Sequence, residues 1–349
     1  MLNKFFKKFS PGIGIDLGSA NTLVYVKDKG IVINESSVVA INTRTDEILA
    51  VGEEAKKMIG KTPAYISVSK PLVQGIITDF EVAEKMLKYF IEKVHQGRLI
   101  PLPRPQVVIG IPLDTTEVER KAVEDVVIQA GGGNAFLIEE PMAAAIGARL
   151  PIQEPVGTMI IDIGGGTTEI AIISLSGVVA WKRLSIAGDT LNQDIIYYVR
   201  ANFNLLLGES TAEEIKIKIG SAWSSNEIKE TKIRGRDLIS GLPKEILVND
   251  AQIREAMSKS IKTILEAVRS TLETTPPELV ADIYERGITL TGGGALLQNL
   301  DKLISKEIQI PVRVADDPLT AVVRGTGIVL EDLKCLKDVL LLPTVHPFH

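Results

Sequence analysis

One pattern that occurs twice in the chain constrains the possible folds more than any other feature of the sequence. Residues 15–22 and 161–168 both read as an apolar run, then Asp-x-Gly, then small residues ending in threonine, then a second apolar run. The two copies lie much further apart than the about 20–50 residues of solenoid or propeller repeats. The pattern therefore predicts two related domains, each beginning with a glycine hairpin between two strands. Residues 153–157, which include Pro155, are the predicted connection between the domains.

Length and composition agree with a large globular protein. The chain has 349 residues, and at about 100–200 residues per domain this length suggests two or more domains. Hydrophobic residue types make up 45% of the chain, which is enough for a large packed core, so global disorder is excluded. The formal net charge of −5 argues against a protein that binds nucleic acid along its whole length.

Cysteine usage and hydropathy further restrict the class of protein that the chain can be. Cys335 is the only cysteine, so an internal disulfide and a zinc site built on several cysteines are both excluded. No apolar run approaches the about 18–20 residues that a membrane-spanning helix needs. The N-terminus also lacks the long apolar segment and cleavage site of a secretory signal. We therefore expect a soluble protein of a reducing compartment.

Strand-like and helix-like segments alternate along the sequence, which predicts an α/β protein with mixed sheets. Short apolar runs predict strands at residues 13–15, 22–26, 31–33, 38–41, 106–111, 158–163, 169–174 and 287–290. Helical patterns predict helices at residues 82–94, 117–130, 141–150 and 258–272. The glycines at 131–133 are expected to end the second of these helices.

The paired glycine hairpins are typical of phosphate binding. A tight turn of glycine and small residues exposes several backbone N–H groups at one point, and glycine lets the backbone approach a phosphate closely. Further side-chain donors are available from Ser19, Asn21, Thr167 and Thr168. Asp16 and Asp162 begin the two turns, and if the hairpins face each other these carboxylates flank one polyphosphate. Phosphate would repel bare carboxylates, so we expect a divalent cation. Magnesium fits because it keeps several waters and needs few protein ligands.

Two further segments suit contact with a nucleotide. Residues 291–296 form a third glycine cluster after a predicted strand, and a helix is expected to begin at Leu296, with its positive end at the cluster. An ordinary strand-to-helix turn is the alternative. Residues 210–216 contain two overlapping capping-box patterns, so a capped helix start is the default there. The alternative is that Glu213 or Lys216 contacts a nucleotide.

An acidic pair precedes the alanine-rich helix. Glu139 and Glu140 follow an apolar run and come directly before Pro141. Two acids at a strand end could orient an attacking water molecule. An exposed acidic helix start, favoured by the helix dipole, explains the same pattern, and spacing leaves both interpretations open.

Taken together, these residues resemble the superfamily that contains actin, sugar kinases and heat-shock-chaperone ATPases, and within it the bacterial actin homologues of the MreB family. The segments that carry the resemblance are residues 15–25, 139–147, 161–169, 186–189, 211–220, 234–236 and 290–300. The resemblance covers nearly the whole chain. It implies an actin-like ATPase fold of two related α/β domains, each with a smaller subdomain, with ATP and magnesium in a central cleft.

The resemblance also implies domain boundaries. Residues 1–10 would be an amphipathic membrane-binding segment. The four subdomains would be IA (11–31, 76–150 and 312–345), IB (32–75), IIA (151–185 and 251–311) and IIB (186–250).

Carried over by position, the resemblance assigns roles to individual residues. Asp16 and Asp162 would hold magnesium through water, and Glu140 would place the hydrolytic water with help from Thr167. The implied nucleotide-binding residues are Ser19, Ala20, Asn21, Gly164, Gly165, Gly166, Thr167, Gly188, Asp189, Glu213, Glu214, Ile215, Lys216, Gly292, Gly293, Gly294, Ala295 and Leu296. The chain departs from the family pattern at three places. Ser19 stands where threonine is usual, Ser36 stands where proline is common, and residues 191–194 lose part of their usual acidic character.

The resemblance implies an ATPase whose hydrolysis is coupled to filament assembly. Such filaments lie in the cytoplasm at the inner face of the cell membrane and organise lateral cell-wall synthesis and rod shape. The expected partners are other copies of the chain, the membrane surface and proteins of the cell-wall elongation machinery, with no nucleic acid. The alternatives within the superfamily are a sugar-type small-molecule kinase and a plasmid-segregation actin. A chaperone ATPase module would need a long C-terminal substrate-binding domain.

The N-terminal residues predict a membrane contact. Leu2, Phe5, Phe6 and Phe9 share one helical face, while three lysines fall largely off it. A segment of this length is too short to span a bilayer and long enough to lie in its surface, with lysines near anionic lipid. A packed or frayed terminus is the alternative. Relatives are similar in carrying a hydrophobic membrane loop at the position of Leu99 and Ile100, which are therefore a second expected contact.

Overall fold

A computed structural model describes residues 12–95, 104–224 and 227–342 of the chain. The chain divides into two compact units. Unit 1 comprises Met1–Pro155, Ile173–Val178 and Leu319–His349, and unit 2 comprises Val156–Ile172 and Val179–Pro318. The chain first passes from unit 1 to unit 2 after Pro155, a residue within the predicted connection at residues 153–157. The four finer subdomain boundaries stay predictions.

Strands and helices alternate through both units. The strands are β1 (Ile13–Leu17), β2 (Asn21–Val26), β3 (Gly30–Ser36), β4 (Val39–Asn42), β5 (Glu47–Val51), β6 (Ile66–Ser69), β7 (Leu72–Val73), β8 (Ile76–Ile77), β9 (Gln106–Ile111), β10 (Asn134–Glu139), β11 (Thr158–Ile163), β12 (Thr168–Ser174), β13 (Gly177–Leu184), β14 (Leu205–Leu206), β15 (Glu230–Asp237), β16 (Pro243–Asn249), β17 (Ile288–Thr291) and β18 (Val312–Val314).

The helices lie between these strands in chain order. They are α1 (Glu53–Lys56), α2 (Phe80–His95), α3 (Glu117–Gln129), α4 (Glu140–Gly147), α5 (Gly188–Phe203), α6 (Glu209–Ile219), α7 (Asp250–Glu273), α8 (Pro277–Arg286), α9 (Leu300–Ile308) and α10 (Ala321–Glu331). Short 3-10 segments occur at Gly293–Leu296, Pro318–Thr320 and Lys337–Val339. None of the helices in the described part of the chain combines the length and apolar character needed to cross a membrane.

A five-stranded sheet in the order β10-β9-β1-β2-β3 forms the centre of unit 1. β1 and β2 form an antiparallel hairpin, while β9 and β10 extend the sheet in parallel. Successive β1 side chains point to opposite faces. Ile13 and Ile15 belong to an apolar cluster with α2 and α3, whereas the Gly14 position between them is closely covered by Thr326 of α10. The central strand β1 is therefore covered on both faces, which explains its nearly continuous apolar sequence.

Unit 2 repeats this arrangement. Its five-stranded sheet has the order β13-β12-β11-β17-β18, with β11, β17 and β18 parallel. The strands therefore correspond one by one to those of unit 1. In each sheet three consecutive strands lie side by side, and two later strands extend the sheet in parallel from the first of them. The core of unit 2 gathers buried apolar residues from β11 and β12, from α5, α6 and α7, and from β17. The prediction of two related domains from the sequence repeat is confirmed.

The two glycine hairpins are closed by the same hydrogen bond. In unit 1 the N–H of Gly18 donates to the carbonyl of Asn21 at 3.1 Å, and in unit 2 the N–H of Gly164 donates to that of Thr167 at 2.9 Å. Each unit also carries a three-stranded sheet, β5-β4-β6 in unit 1 and β14-β15-β16 in unit 2. The structure thus has an α/β architecture in which each unit combines a large and a small sheet.

Several predicted elements are confirmed with small changes of length. The strand at residues 106–111 is found with those bounds, and the helix predicted at 258–272 is the longer α7, Asp250–Glu273. Asn249 starts that helix by accepting a hydrogen bond from the N–H of Gln252 at 3.0 Å. After α3, the N–H of Gly132 donates to the carbonyl of Val127 at 2.9 Å, so the glycines end that helix as expected.

Two predicted helix starts are wrong. The helix expected from Leu296 begins instead at Leu300, and residues 293–296 form a 3-10 turn, so the glycine cluster does not lie at an α-helix N-terminus. The capping boxes expected at residues 210–214 are absent. α6 begins at Glu209 after Gly208, and no side chain caps it. Residues 210–214 therefore lie inside the helix, because the extended backbone of Gly208 starts it before Ser210 and Thr211 can act as caps.

Helices α4 and α10 of unit 1 are in backbone contact. A Cβ added to Gly147 of α4 would lie 1.9 Å from the carbonyl oxygen of Ala321. A Cβ added to Gly325 of α10 would lie 1.8 Å from that of Ala143. Only glycine permits this approach, so the contact fixes the two helices against each other.

Candidate functional site

Phosphate loop 1, residues 18–21, connects β1 to β2 in unit 1. Its backbone is held by the residue that follows β3. Ser37 donates its N–H to the carbonyl of Ala20 at 2.9 Å and its hydroxyl to the carbonyl of Gly18 at 2.5 Å. The Thr22 hydroxyl lies 2.9 Å from the same Ser37 hydroxyl, and both residues are fully buried. Hydroxyl groups beneath the loop therefore fix its shape.

The side chains of phosphate loop 1 contact the segments that lead into and out of the region 32–75. The Ser19 hydroxyl, which is buried, accepts a hydrogen bond from the N–H of Gly75 at 2.8 Å. Asn21 is partly exposed, and its Oδ1 lies 3.5 Å from the hydroxyl of Ser36. Asp16 and Ala20 are also partly exposed. The structure brings all the predicted residues of this loop together.

Phosphate loop 2, residues 164–167, connects β11 to β12 in unit 2, and the start of α5 supports it. The N–H of Gly188 donates to the carbonyl of Gly164 at 3.1 Å, and the N–H of Asp189 donates to that of Gly165 at 2.8 Å. The Lys216 ammonium donates to the carbonyl of Gly188 at 2.7 Å. These contacts place Gly188, Asp189 and Lys216 beside the loop.

The threonines of phosphate loop 2 differ in position. Thr168 is fully buried, and its hydroxyl donates to the carbonyl of Ile186 at 2.6 Å. It is therefore a structural residue of the hairpin and does not supply the phosphate donor that its sequence position suggested. Thr167 is also buried, while Gly164, Gly165 and Gly166 are partly exposed.

Asp162 ends β11 next to phosphate loop 2 and is 6% exposed. Its Oδ1 has no hydrogen-bond partner within the described residues. Burial raises the pKa of Asp162 from 3.8 to about 6, although a hydrogen bond from the Thr291 hydroxyl acts in the opposite direction. A buried carboxylate with an unused oxygen is costly in isolation, and it fits a hydrated cation that supplies both charge and hydrogen bonds.

The third glycine cluster packs against the end of β11. Gly292 has φ +78°, and a Cβ on it would lie 2.3 Å from the carbonyl oxygen of Ile163. A Cβ on Gly294 would lie 2.2 Å from the Ile163 side chain. Ala295 is buried, whereas Gly293 and Leu296 are exposed, Leu296 by 54%. The third glycine cluster therefore lies beside phosphate loop 2, because its glycines pack closely against Ile163 at the end of β11.

The four predicted residues of α6 face different surroundings. Glu213 and Lys216 are partly exposed, and Glu214 is exposed. Ile215 is 3% exposed and belongs to the apolar core of unit 2. The side chain of Ile215 therefore packs inside the unit. The Lys216 ammonium binds the carbonyl of Gly188, which supports phosphate loop 2.

Glu139 and Glu140 lie where β10 passes into α4, and Glu140 is 8% exposed. All eight residues of α4 are buried, so the interpretation of this segment as an exposed acidic helix start is wrong. Glu140 extends over Gly110 of β9, where an added Cβ would lie 3.3 Å from the Glu140 Cγ. Burial raises the pKa of Glu139, and the charge of Arg120 opposes this shift.

Some residues of the site were missed in the sequence, and some predictions lie outside the described residues. Ser37 and Gly75 were not singled out, although each contacts phosphate loop 1. The consecutive hydroxyl residues Ser36 and Ser37 at the end of a strand could have drawn attention to Ser37, whereas no local pattern marks Gly75. The predicted membrane residues Leu2, Phe5, Phe6, Phe9, Leu99 and Ile100 lie outside the described residues.

Comparison with known proteins gives extensive matches. The family model described as MreB/Mbl protein matches residues 10–338. The cell shape-determining protein MreB of Escherichia coli (strain K12) is 51% identical over 335 residues, which are 95% of this chain and 96% of that protein. The cell shape-determining protein Mbl of Bacillus subtilis (strain 168) is 47% identical over 325 residues, which are 93% of this chain and 97% of that protein.

Solved structures show the same fold. MreB5 of Spiroplasma citri bound to ADP matches with a TM-score of 0.89 and 38% identity, covering 95% of this chain and 99% of that chain. The AMPPNP-bound MreB5 matches with a TM-score of 0.89 and 39% identity, covering 94% and 98%. A MamK double helical filament matches at a TM-score of 0.78 and 21% identity, covering 93% and 99%, and so shows a likeness of fold alone. The predicted actin-like fold is confirmed. Because the family model spans nearly the whole chain and the relatives are about half identical, the chain belongs to the MreB/Mbl family.

Proposed function

We propose that this chain is an ATPase that assembles into filaments and takes part in determining cell shape. The observation that carries the proposal is the pair of hairpins closed by the same hydrogen bond, one of which lies beside Asp162, whose buried Oδ1 has no partner among the described residues. MreB5 proteins of the same family have been crystallised with ADP and AMPPNP, which supports a nucleotide ligand. No observation favours the sugar-kinase alternative, and family membership argues against it.

We assign the nucleotide contacts to the exposed and partly exposed residues in and beside the two phosphate loops. In unit 1, the partly exposed Ala20 and Asn21 of phosphate loop 1 contact phosphate. In unit 2, Gly164–Gly166 offer backbone N–H groups to phosphate, while Lys216 and the exposed residues of the 292–296 cluster contact the nucleoside part. Glycine allows the backbone to approach phosphate oxygens closely in both loops.

Asp16 and Asp162 are the residues that would hold magnesium through water. The unpartnered Oδ1 of Asp162 fits this role, because water on a cation would donate the hydrogen bond that the oxygen lacks. When bound, magnesium supplies charge neutralisation for the phosphate oxygens. Asp162 itself would orient this water shell from the rigid end of β11.

Glu140 is the proposed residue that positions the attacking water, with Thr167 assisting. Its place at the first turn of α4 is rigid, because α4 is buried along its whole length and fixed against α10. A carboxylate held in this way can accept a hydrogen bond from water and orient it for attack. Hydrolysis depends chiefly on such positioning, since phosphoryl transfer demands little covalent chemistry from the protein.

The filament and membrane parts of the proposal follow from the family. The names of the relatives describe cell shape-determining proteins, which supports the same role for this chain. Repetition of one head-to-tail contact gives an open filament. We place the filament in the cytoplasm at the inner face of the cell membrane, with residues 1–10 and the pair Leu99 and Ile100 as anchors. There it would act with proteins of the cell-wall elongation machinery.

Single-turnover hydrolysis and nucleotide affinity together test the ATPase proposal. Glu140→Ala should keep ATP affinity and lose at least about tenfold in the hydrolysis rate, the low end of what water positioning contributes. Asp162→Ala should weaken magnesium-dependent ATP binding itself. Glu139→Ala is the matched control for the acidic pair and should hydrolyse ATP nearly normally. Normal hydrolysis by Glu140→Ala, or loss only in Glu139→Ala, would reject this assignment.

Sedimentation tests the assembly proposal. ATP with magnesium should move the parent protein into the pellet, and lipid vesicles should carry it when they contain anionic lipid. Removal of residues 1–9 together with Leu99→Ser and Ile100→Ser should abolish vesicle binding and leave ATP binding intact. A protein that stays monomeric at all concentrations, and that phosphorylates sugars in a coupled assay, would establish the kinase alternative instead.

A further inference from the structure

Ser221 lies just after α6, and its buried hydroxyl contacts a segment that is far away in the chain. The side-chain amide of Asn299 donates to the Ser221 hydroxyl at 3.1 Å. That hydroxyl donates its single proton to the carbonyl of Trp223 at 2.6 Å, the nearer of two carbonyl acceptors. The N–H of Ala222 donates to the carbonyl of Gln298 at 2.8 Å. We call these contacts the 221–299 junction.

Two lysines add side-chain contacts to the 221–299 junction. The Lys229 ammonium donates to Oε1 of Gln298 at 2.7 Å, and the Lys306 ammonium lies 4.0 Å from the centre of the Trp223 ring. A cation over an indole is attracted by the negative face of the ring. Backbone, amide and cation contacts therefore hold the junction together, and all of them lie within unit 2.

One side of the 221–299 junction continues from α6. The N–H of Gly220 donates to the carbonyl of Lys216 at 2.9 Å, and a Cβ on Gly220 would lie 2.3 Å from that carbonyl oxygen. Because only glycine fits this close approach, Ser221 follows the last turn of α6 directly. The Lys216 ammonium in turn binds the carbonyl of Gly188, which supports phosphate loop 2.

The other side of the 221–299 junction continues from the third glycine cluster. The N–H of Leu297 donates to the carbonyl of Gly294 at 3.0 Å, so Gln298 follows the 3-10 turn of the cluster closely. At the beginning of the cluster, Gly292 packs against Ile163 of β11. The cluster is therefore fixed at both of its ends.

α6 and the third glycine cluster are thus each held at two places. One place lies beside phosphate loop 2, and the other is the 221–299 junction. Between these places Lys216 is partly exposed and Leu296 is 54% exposed, so both are accessible to a ligand. Under the proposed function these two segments contact the nucleoside part of ATP, so their spacing decides how well that part is bound.

We infer that Ser221 is a positioning residue for the nucleoside part of ATP, because its hydrogen bond from Asn299 fixes the spacing of α6 and the third glycine cluster. This inference rests on the proposed ATP binding. Ser221 is 3% exposed, so it acts through the two segments and not by touching the ligand. A site whose parts are already held in place loses less freedom when the ligand binds, and its affinity is higher for that reason.

Equilibrium binding of ATP and ADP tests the role of Ser221. Ser221→Ala should weaken both nucleotides by the same factor, about fivefold, which is the effect of one net hydrogen bond. The factor should be the same for ATP and ADP because they share one nucleoside, and it should not depend on magnesium, which acts on the phosphates. Ser224→Ala is the matched control at an exposed serine of the same segment and should bind both nucleotides normally.

Steady-state hydrolysis provides a second readout of the same variant. Ser221→Ala should raise the KM for ATP about fivefold and change kcat by less than about twofold, because the residue proposed to position water, Glu140, lies in unit 1. An unchanged affinity in Ser221→Ala would overturn the inference, even if its melting temperature falls, since the hydroxyl would then be merely structural. A loss for ATP alone, or only with magnesium, would assign the effect to the phosphates and overturn it too.

A second variant tests the hydrogen bond itself. Asn299→Gly removes the amide donor and keeps a residue that tolerates the backbone at φ +60°. It should weaken ATP and ADP in the same direction as Ser221→Ala. If the two residues act through one hydrogen bond, the double variant should bind no more weakly than Ser221→Ala alone. Multiplication of the two effects would contradict the shared bond and overturn the inference.

Hydrogen exchange without nucleotide tests the 221–299 junction independently of ATP binding. Ser221→Ala should speed amide exchange both in residues 217–223 and in residues 293–299, because the junction joins these segments. A change confined to one segment would overturn the inference. If the parent protein binds no ATP, the proposed function fails, and this exchange measurement still decides whether Ser221 joins the two segments.

Discussion

The two phosphate loops are closed by the same backbone hydrogen bond, and they differ in the groups that hold each loop in place. Phosphate loop 1 is held by both the N–H and the buried side-chain hydroxyl of Ser37, which bind the carbonyls of Ala20 and Gly18. Phosphate loop 2 rests on backbone groups, because the N–H groups of Gly188 and Asp189 bind its carbonyls. Gly292 and Gly294 also press directly on the strand that leads into phosphate loop 2.

This difference shows how one hairpin can serve two purposes within a duplicated fold. Backbone contacts and glycine packing leave phosphate loop 2 little freedom, which suits the end that carries the buried Asp162. Phosphate loop 1 is joined to a distant segment of unit 1 through a side chain, because the Ser19 hydroxyl accepts from the N–H of Gly75. We therefore expect substitutions near phosphate loop 2 to affect folding strongly, and those near phosphate loop 1 to affect it less.

The largest effect is expected at Gly292. Gly292→Ala places a Cβ 2.3 Å from the carbonyl oxygen of Ile163 and forces alanine to adopt φ +78°. We expect the free energy of unfolding to fall by about 4 kcal/mol, because backbone must move and the strained conformation remains. Denaturant unfolding followed by circular dichroism measures this change.

The matched control is Gly177→Ala. Gly177 lies at the exposed start of β13, where the nearest atom to an added Cβ is the Ser174 carbonyl oxygen at an ordinary 3.7 Å. We expect a change within about 0.5 kcal/mol there. Equal losses in both variants would show that glycine packing is not what makes phosphate loop 2 rigid.

The second effect is a pH dependence that comes from the buried Asp162 beside phosphate loop 2. Burial raises the pKa of Asp162 to about 6 in the folded protein, whereas the ordinary pKa of this carboxyl is 3.8. The free energy of unfolding therefore falls as pH rises through this range, by about 3 kcal/mol from this group when it carries no cation. Asp162→Asn stays neutral, so it should equal the parent near pH 4 and exceed it by about 3 kcal/mol at pH 8.

Urea unfolding of parent and variant at several pH values, without magnesium or nucleotide, measures the difference. Asp162→Asn should also lose magnesium-dependent ATP binding. A stability difference independent of pH would contradict the role given to burial of Asp162.

The smallest effect is expected at the paired buried threonines. Thr168→Val leaves the carbonyl of Ile186 without its hydroxyl donor and should cost about 1–2 kcal/mol. Thr22→Val should cost less than about 1 kcal/mol, because Ser37 still donates to the carbonyl of Gly18. Thermal unfolding of the two variants in parallel gives the comparison. A larger loss for Thr22→Val would reverse the proposed order of rigidity.

The parts of the fold predicted from the sequence are those with a local pattern. The repeat at residues 15–22 and 161–168 predicted two hairpins, and the same hydrogen bond closes both. Apolar runs predicted β9 and β11 because buried parallel strands are almost continuously apolar. The acidic pair at Glu139 and Glu140 remained ambiguous, since burial of α4 is decided by α10, which lies far away in sequence.

The errors arose where two local signals compete. The patterns at residues 210–214 look like capping boxes, yet Gly208 starts α6 earlier. The same type of pattern does cap α3, where Thr116 accepts from the N–H of Glu119 at 3.3 Å. The contacts of Ser37 and Gly75 with phosphate loop 1 join residues far apart in the chain, so no local pattern could specify them.

The contact between α4 and α10 has a consequence for synthesis of the protein. Unit 1 is completed by α10, whose Gly325 fits against Ala143, and the residues of unit 2 lie between these two positions in the chain. On the ribosome, all of unit 2 therefore emerges before unit 1 has its last helix. Unit 2 has its whole sequence available first and can fold as a unit. The first-made part of unit 1 must wait, with the surface of α4 that packs against α10 uncovered. Apolar side chains exposed at this stage are the kind of surface that chaperones bind.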